Sequence, residues 1–238
     1  MMIKFLGNWS SHLGAGHRNS SIIINDGTVM DFGPHSMESL LEKGIDPGNI
    51  DAVLITHLHL DHFMGLPELL WYRGSTRVKN VLTVMGPKGI GNAMDQMMKL
   101  INTPLNDQYE INVEYVEGKK LDFISVYDGN HIIPDNVYRL DYPEVSIVYT
   151  GDTAYSLNVV RAAEDADYLF PEMTYTDEEK ERAQLWKHST YSSVMDVFSD
   201  SHCKNLIPTH LTQKSFDLVM EQSKKSAQII APVADITV

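Results

Sequence analysis

The chain is short of three things, and each shortage excludes something. It carries one cysteine, Cys203, in 238 residues, which rules out an internal disulfide and favours a reducing, cytoplasmic setting. It has no apolar run near the ~20 residues that a membrane-crossing helix needs, so no membrane span is expected. Residues 1–7 read as a short strand, without the longer apolar core of a secretory signal. Basic residues are scarce as well: 19 Lys+Arg stand against 32 Asp+Glu, a net charge of −13. Proteins dedicated to long nucleic acids neutralise phosphates and usually show a basic stripe. Here the densest basic features are the pairs Lys119-Lys120 and Lys224-Lys225. The balance favours a small phosphodiester over a long polyanion.

What is present is an ordinary globular composition, 43% hydrophobic and 21% charged, with no linker, low-complexity tract or short-period repeat. It suits one domain over residues 1–238. Residues 21–31 read as a hairpin, with strands 22–24 and 29–30 turning at Asn25-Asp26-Gly27. Helices are expected near 34–43, 65–72 and 93–101, then strands at 113–116, 121–126, 137–140 and 145–150. Helices near 156–164, 192–200 and 216–225 then alternate with strands 168–170, 206–208 and 229–230. In the Met-rich helix, Met94, Met97 and Met98 read as core filler before a cofactor box. Two strand-rich series with helices between them suit an α+β sandwich of two sheets wrapped by helices.

The densest chemical information lies in Thr56-His57-Leu58-His59-Leu60-Asp61-His62. Imidazole nitrogens and carboxylate oxygens are preferred zinc donors, and here they follow Ala52-Val53-Leu54-Ile55, a short buried strand. His57 and His59, two apart, project to one side of an extended segment. Asp61 and His62 fall where a helix should begin and can point elsewhere. A catalytic zinc usually takes three protein ligands, so these donors suit two neighbouring metals better than one. Further donors recur at the ends of apolar strands: His131 in Gly129-Asn130-His131, Asp152 in Gly151-Asp152-Thr153, and His210 in Pro208-Thr209-His210. Singly, each is more often a cap or turn residue than a ligand. Cys203 beside His202 reads as part of a helix-to-strand connection before a ligand pair.

Taken in order, His57-x-His59-x-Asp61-His62, His131, Asp152 and His210 resemble the motif set of the metallo-β-lactamase superfamily across nearly the whole chain. The resemblance implies an αββα four-layer sandwich and two divalent metals, zinc first, with manganese or iron as alternatives. His57, His59 and His131 would hold one metal and Asp61, His62 and His210 the other. Asp152 would bridge them together with a hydroxide. Within the superfamily the chain is similar to ribonuclease Z and its relatives, on three further segments. Gly14-Ala15-Gly16-His17-Arg18-Asn19-Ser20-Ser21 resembles that branch's opening turn; Pro171-Glu172-Met173-Thr174-Tyr175 resembles its His-Glu-Ala-Thr-aromatic segment; His188-Ser189-Thr190 matches its His-Ser-Thr.

By that resemblance the chain is a metal-dependent hydrolase of phosphodiester type, an endoribonuclease among the options. Catalytic residues would be Asp61, orienting the nucleophile, His188, acting on the displaced oxygen, and Glu172, fixing His188. Arg18, Asn19 and Ser20 would meet the substrate phosphate. Each has a plainer reading: His188 as a surface histidine near a helix cap, Glu172 as an exposed acid, Arg18 to Ser20 as a hairpin-entry turn. The chain also departs from the branch. Only twenty residues separate His131 from Asp152, where common ribonuclease Z enzymes carry a long arm that grips tRNA. A small or single-stranded phosphodiester is therefore the expected substrate, with RNA possible but not favoured by charge, and a homodimer is left open. The alternatives on the same scaffold are a lactone or thioester hydrolase and a non-enzymatic binding protein.

Overall fold

The computed structural model describes residues 1–104, 109–118 and 120–237, with Lys120 described by its backbone alone. The Lys119-Lys120 pair therefore lies outside the described side chains. The first half contains β1 (Met2–Gly7), β2 (Ser21–Ile24), β3 (Thr28–Met30), α1 (Ser36–Glu42), β4 (Ala52–Leu54), α2 (Leu60–Phe63), α3 (Leu66–Ser75), β5 (Leu82–Met85), α4 (Ile90–Leu100) and β6 (Val113–Val116). The second half contains β7 (Lys120–Leu121), β8 (Ile124–Asp128), β9 (Asn136–Asp141), β10 (Ser146–Tyr149), α5 (Leu157–Ala163), β11 (Tyr168–Phe170), α6 (Lys180–Trp186), α7 (Tyr191–Ser201), β12 (Asn205–Leu206), α8 (Gln213–Gln222) and β13 (Ile236–Thr237).

These strands form two mixed sheets, ordered β13-β1-β2-β3-β4-β5-β6 and β12-β11-β10-β9-β8-β7. Their central strands are apolar on both faces, which is why they lack alternation in sequence. In β2, Ile22 and Ile24 face the second sheet while Ile23 packs against the helices outside. In β10, Ile147 and Tyr149 face the first sheet and Val148 faces α5 and α7. The result is the expected αββα order of layers. Met94 is buried, and Met97 and Met98 pack on the same cluster as core filler.

The topology decides where chemistry can gather. β3, β4 and β5 run parallel, as do β10, β11 and β12. Segments leaving these strands emerge on one edge of the sandwich, and the loop from β8 to β9, residues 129–135, turns there too. The sheets are tied at that edge: Asn136 N donates to Thr56 O (2.9 Å) and Tyr138 Oη donates to Ile55 O (2.7 Å).

Four local expectations change. The strand expected at 121–126 is a hairpin, because Asp122 takes a left-handed conformation (φ 47°) and separates β7 from β8. Residues 229–230 give a single bridge to Leu206, not a strand. β12 ends at Leu206, and the chain bends before His210. Three elements absent from the sequence reading, β5, α6 and β13, are present. The hairpin turn is as expected, with positive φ at both Asn25 (50°) and Asp26 (57°). No helix among the described residues is long and apolar enough to cross a membrane.

Candidate metal centre

The edge where the parallel strands end carries the whole donor set. His57 and His59 leave β4 in extended conformation. α2 then turns Asp61 and His62 the other way, as the sequence spacing predicts. A four-residue helix is not self-supporting; α2 is held by Phe32 N donating to His62 O (2.7 Å) and Gly65 N donating to Phe32 O (2.9 Å). Gly33 permits that closeness, since a Cβ there would lie 1.9 Å from Asp61 O. Asp152 follows Gly151, whose φ of +60° and contact with Asp135 and Thr56 exclude a side chain.

The ligating atoms fall into two groups that share one carboxylate. His59 Nδ1 lies 2.9 Å from His57 Nε2 and 3.2 Å from His131 Nε2. His210 Nε2 lies 3.3 Å from Asp61 Oδ2, and His62 Nε2 lies 3.7 Å from the same oxygen. Asp152 Oδ2 approaches the first group, 3.6 Å from His57 Nε2; its Oδ1 approaches the second, 3.4 Å from both His62 Nε2 and His210 Nε2. Two nitrogens bound at 2.0–2.1 Å to one tetrahedral zinc lie about 3.3 Å apart, so the spacings fit a shared cation. His62 Nε2 and Asp152 Oδ1 are buried with no hydrogen-bond partner among the described residues. Orphaned polar atoms of this kind are rare unless something else occupies them. The residues fit a divalent metal.

Outer contacts fix four of the five rings so that the right nitrogen faces inward. His62 Nδ1 donates to Asp31 Oδ2 (2.8 Å), and Asp31 is itself held by Thr56 N (2.7 Å) and Thr56 Oγ1 (2.9 and 3.0 Å). His131 Nδ1 donates to Lys187 O (3.2 Å), and His210 Nδ1 meets Thr174 Oγ1 (2.8 Å). His57 Nδ1 has Thr56 Oγ1 at 3.0 Å and Asp135 Oδ1 at 3.1 Å. His210 sits in a left-handed conformation (φ 54°), which costs a non-glycine residue about 1 kcal/mol. Its N–H donates to Ser20 Oγ at 2.7 Å, which holds it there.

Electrostatics divide the centre. Burial pushes the imidazoles of His57, His59 and His131 down, leaving neutral rings with a lone pair to offer. Burial opposes charge on His62 too, but Asp152 and Asp31 outweigh it and raise His62 well above the histidine range. That proton sits where a cation would bind, so metal and proton compete for Nε2. Burial raises the Asp61 carboxyl, yet His210 and His62 bring it down to about 2. Asp152, also opposed by burial, is held well below the carboxylate range by His210, His62 and His57.

His188 belongs to neither of these two groups, although its donor atom forms a third close set with those of Asp152 and His210. Its ring stacks on His210 with centroids 5.6 Å apart, and its Nδ1 donates to Glu172 Oε1 at 2.8 Å. Burial lowers its affinity for a proton, but Glu172 and Asp152 outweigh burial and raise it to about 9. Glu172 is not an exposed acid; it is 1% exposed. Besides His188, it accepts from Thr153 N (3.2 Å), Ser189 N (3.0 Å), Thr174 N (2.9 Å) and Thr174 Oγ1 (2.8 Å). Thr190 does cap α7, through a capping box with Ser193, so the cap and His188 coexist.

A cleft of about 480 Å3 opens onto the donors, lined by His59, Asp61, His131, Asp152, His188 and His210 and rimmed by His12, Ile132, Tyr175, Arg182 and Trp186. Arg18, Asn19 and Ser20 do not line it, which corrects their expected contact with substrate. Arg18 forks onto Glu42 (2.6 and 2.8 Å) and Ser39 (2.9 Å) of α1. Asn19 is buried and donates to Ser10 O (3.3 Å), and Ser20 holds His210. Cys203 is buried while His202 is exposed, so they form no ligand pair. The sequence reading missed Asp31, which carries the same strand-exit signal as Asp152, and Asp135, which precedes a strand and carries none. Burial pushes the Asp135 carboxyl well above the carboxylate range.

The metallo-beta-lactamase superfamily pattern matches residues 13–191. The chain belongs to that superfamily, whose fold it carries. Among curated proteins, it is 24% identical over 262 residues to ribonuclease Z of Halalkalibacterium halodurans, covering 85% of this chain and 83% of that one. Among solved structures, the short form of human tRNase Z superposes with a TM-score of 0.76 at 22% identity, covering 90% of this chain and 94% of that one. A diphosphatase of the PhnP family superposes with a TM-score of 0.75 at 17% identity, covering 100% and 97%. Within the superfamily the chain is a ribonuclease Z-like, metal-dependent hydrolase.

Proposed function

We propose that the protein is a binuclear phosphodiesterase acting on small or single-stranded phosphodiesters, RNA among them, as the name of its ribonuclease Z relatives suggests. The observation that carries this reading is His188, which lines the same cleft as the donor groups and is held from behind by buried Glu172 at 2.8 Å. His57, His59 and His131 would hold one cation and Asp61, His62 and His210 the second, with the Asp152 carboxylate facing both groups. When bound, two divalent ions, zinc before manganese or iron, supply Lewis acidity and lower the pKa of water. The chain's own residues do the rest. His188, protonated through its contact with Glu172, donates to the oxygen displaced from phosphorus, a role typically worth 10²–10⁴-fold. Asp61, ionised to about pH 2, accepts a hydrogen bond from the attacking water and orients it. Glu172 is a positioning residue: it fixes His188 and touches no substrate.

The net charge of −13 and the twenty-residue span from His131 to Asp152, filled by β9 and β10, support a small substrate over an elbow-gripped tRNA. The lone buried thiol suits the reducing cytoplasm. A substrate panel tests the reading. Metal-loaded protein should cleave bis-p-nitrophenyl phosphate faster than p-nitrophenyl phosphate, with lactones and thioesters slow. Efficient lactone or thioester hydrolysis without diesterase activity would assign the site to carboxyl esters. No turnover of any panel member would point to a binding role.

A further inference from the structure

One cation of the cleft remains without a role. Arg182, on the first turns of α6, is the guanidinium or ammonium group among the residues lining the cleft. It pairs with no carboxylate among the described residues. Its contacts are His12 Nε2, 3.5 Å from Nη2, and the face of Tyr175, 5.3 Å from the ring centroid. Tyr175 in turn lies edge-on to His188, with centroids 5.8 Å apart. Arg182 and His12 therefore sit one aromatic ring beyond the proposed proton donor. In a protein with 32 acids, a surface arginine that lines a cleft and forms no ion pair among the described residues is suited to a ligand anion. Trp186, 48% exposed, and Ile132, 45% exposed, complete the rim with apolar faces, and a base can stack on an exposed indole.

The same helix limits how far an anion can extend. On the other side of Arg182 the surface is formed by Glu178, Glu179, Lys180 and Glu181. Glu179 is turned to Lys214 at 3.6 Å, and the run as a whole carries more acid than base. A phosphate beyond the one at Arg182 meets this acidic surface and is repelled.

Resting on the phosphodiesterase reading, we infer that Arg182 and His12 form a subsite for a second phosphate next to the scissile one. The preferred substrate is then a short single-stranded oligonucleotide with two phosphates in the cleft. The guanidinium fork makes two charge-assisted hydrogen bonds to a phosphate, and the contact lies outside the reacting centre.

Diuridylate has one phosphate and triuridylate two, so the pair isolates the subsite. Metal-loaded enzyme should show kcat/KM about tenfold higher for the trimer than for the dimer, where two scissile bonds alone would give twofold, with no further gain per scissile bond for a decamer. Arg182→Gln should reduce that preference to about the statistical twofold, Arg182→Lys should keep part of it, and raised salt should shrink it. Thermal melting checks that each variant is folded, and His12→Gln, lowering the same ratio, provides an independent variant. A wild-type ratio near two, or a full preference retained in Arg182→Gln, would overturn the subsite. A steady gain per scissile bond from trimer to decamer would overturn the length limit. Cleavage of bis-p-nitrophenyl phosphate marks the chemistry as intact in each case. If neither it nor the oligonucleotides are cleaved, the phosphodiesterase reading fails and this inference fails with it.

Discussion

Replacing Glu172 by glutamine removes one charge from the inside of the site while keeping its shape. The magnitude follows from the partners. His188 is raised from 6.5 to about 9, with burial opposing the rise and Glu172 the leading cause of it. A difference of that size corresponds to up to about 3 kcal/mol of folding free energy. The sign is set by the raised value: His188 contributes this stability fully below pH 6.5 and loses it as pH rises through about 9. The amide also meets Thr174 N and Thr174 Oγ1 on the Oε2 side with a donor where an acceptor stood, a cost of about 1–3 kcal/mol that does not depend on pH. Urea unfolding of chelator-treated protein should therefore show a larger deficit for the variant at pH 6 than at pH 9.5, by up to about 3 kcal/mol. In metal-loaded enzyme, the alkaline limb of kcat/KM should move to lower pH by more than about one unit. Equal deficits at both pH values, with an unmoved alkaline limb, would refute the claim that Glu172 holds the proton on His188.

Other substitutions separate holding a metal from turning over substrate. Asp152→Ala removes the carboxylate shared by both ligand groups, so metal content measured after dialysis should fall along with turnover. His188→Ala should keep its metal and lose 10²-fold or more in kcat; equal metal loss in the two variants would show that His188 is itself a ligand. Asp31→Asn weakens the acceptor that orients His62, and competition with a chelator should show metal affinity reduced about 10–100-fold; unchanged affinity would make Asp31 a purely structural residue.

Legibility in the sequence followed how local each feature was. His57 to His62 could be read because four donors fall within six residues, and β4 with α2 sends them to two sides as the spacing requires. Asp152 and His210 were legible only as a recurring pattern, a donor at the end of an apolar strand. Asp31 follows the same rule after β3, yet one acid after a hairpin is indistinguishable from a turn residue until His62 is seen against it. The opening turn around Arg18 matched a family pattern, but its side chains answer to α1 and to His210, partners that only the fold brings near. α6 escaped because Ala183 is the one residue of it that is buried, which leaves no apolar stripe to show the helical period. The break at Asp122 depends on a single positive φ that composition does not reveal.

The central claim is tested most directly by metal titration with activity as the readout. Chelator-treated protein is loaded stepwise with zinc or manganese, and bound metal and bis-p-nitrophenyl phosphate hydrolysis are followed together. Binding that saturates at two equivalents per chain, with diesterase activity rising to a plateau at the second, is the predicted result. Saturation at one equivalent, or two bound metals with no diesterase activity, would contradict the account.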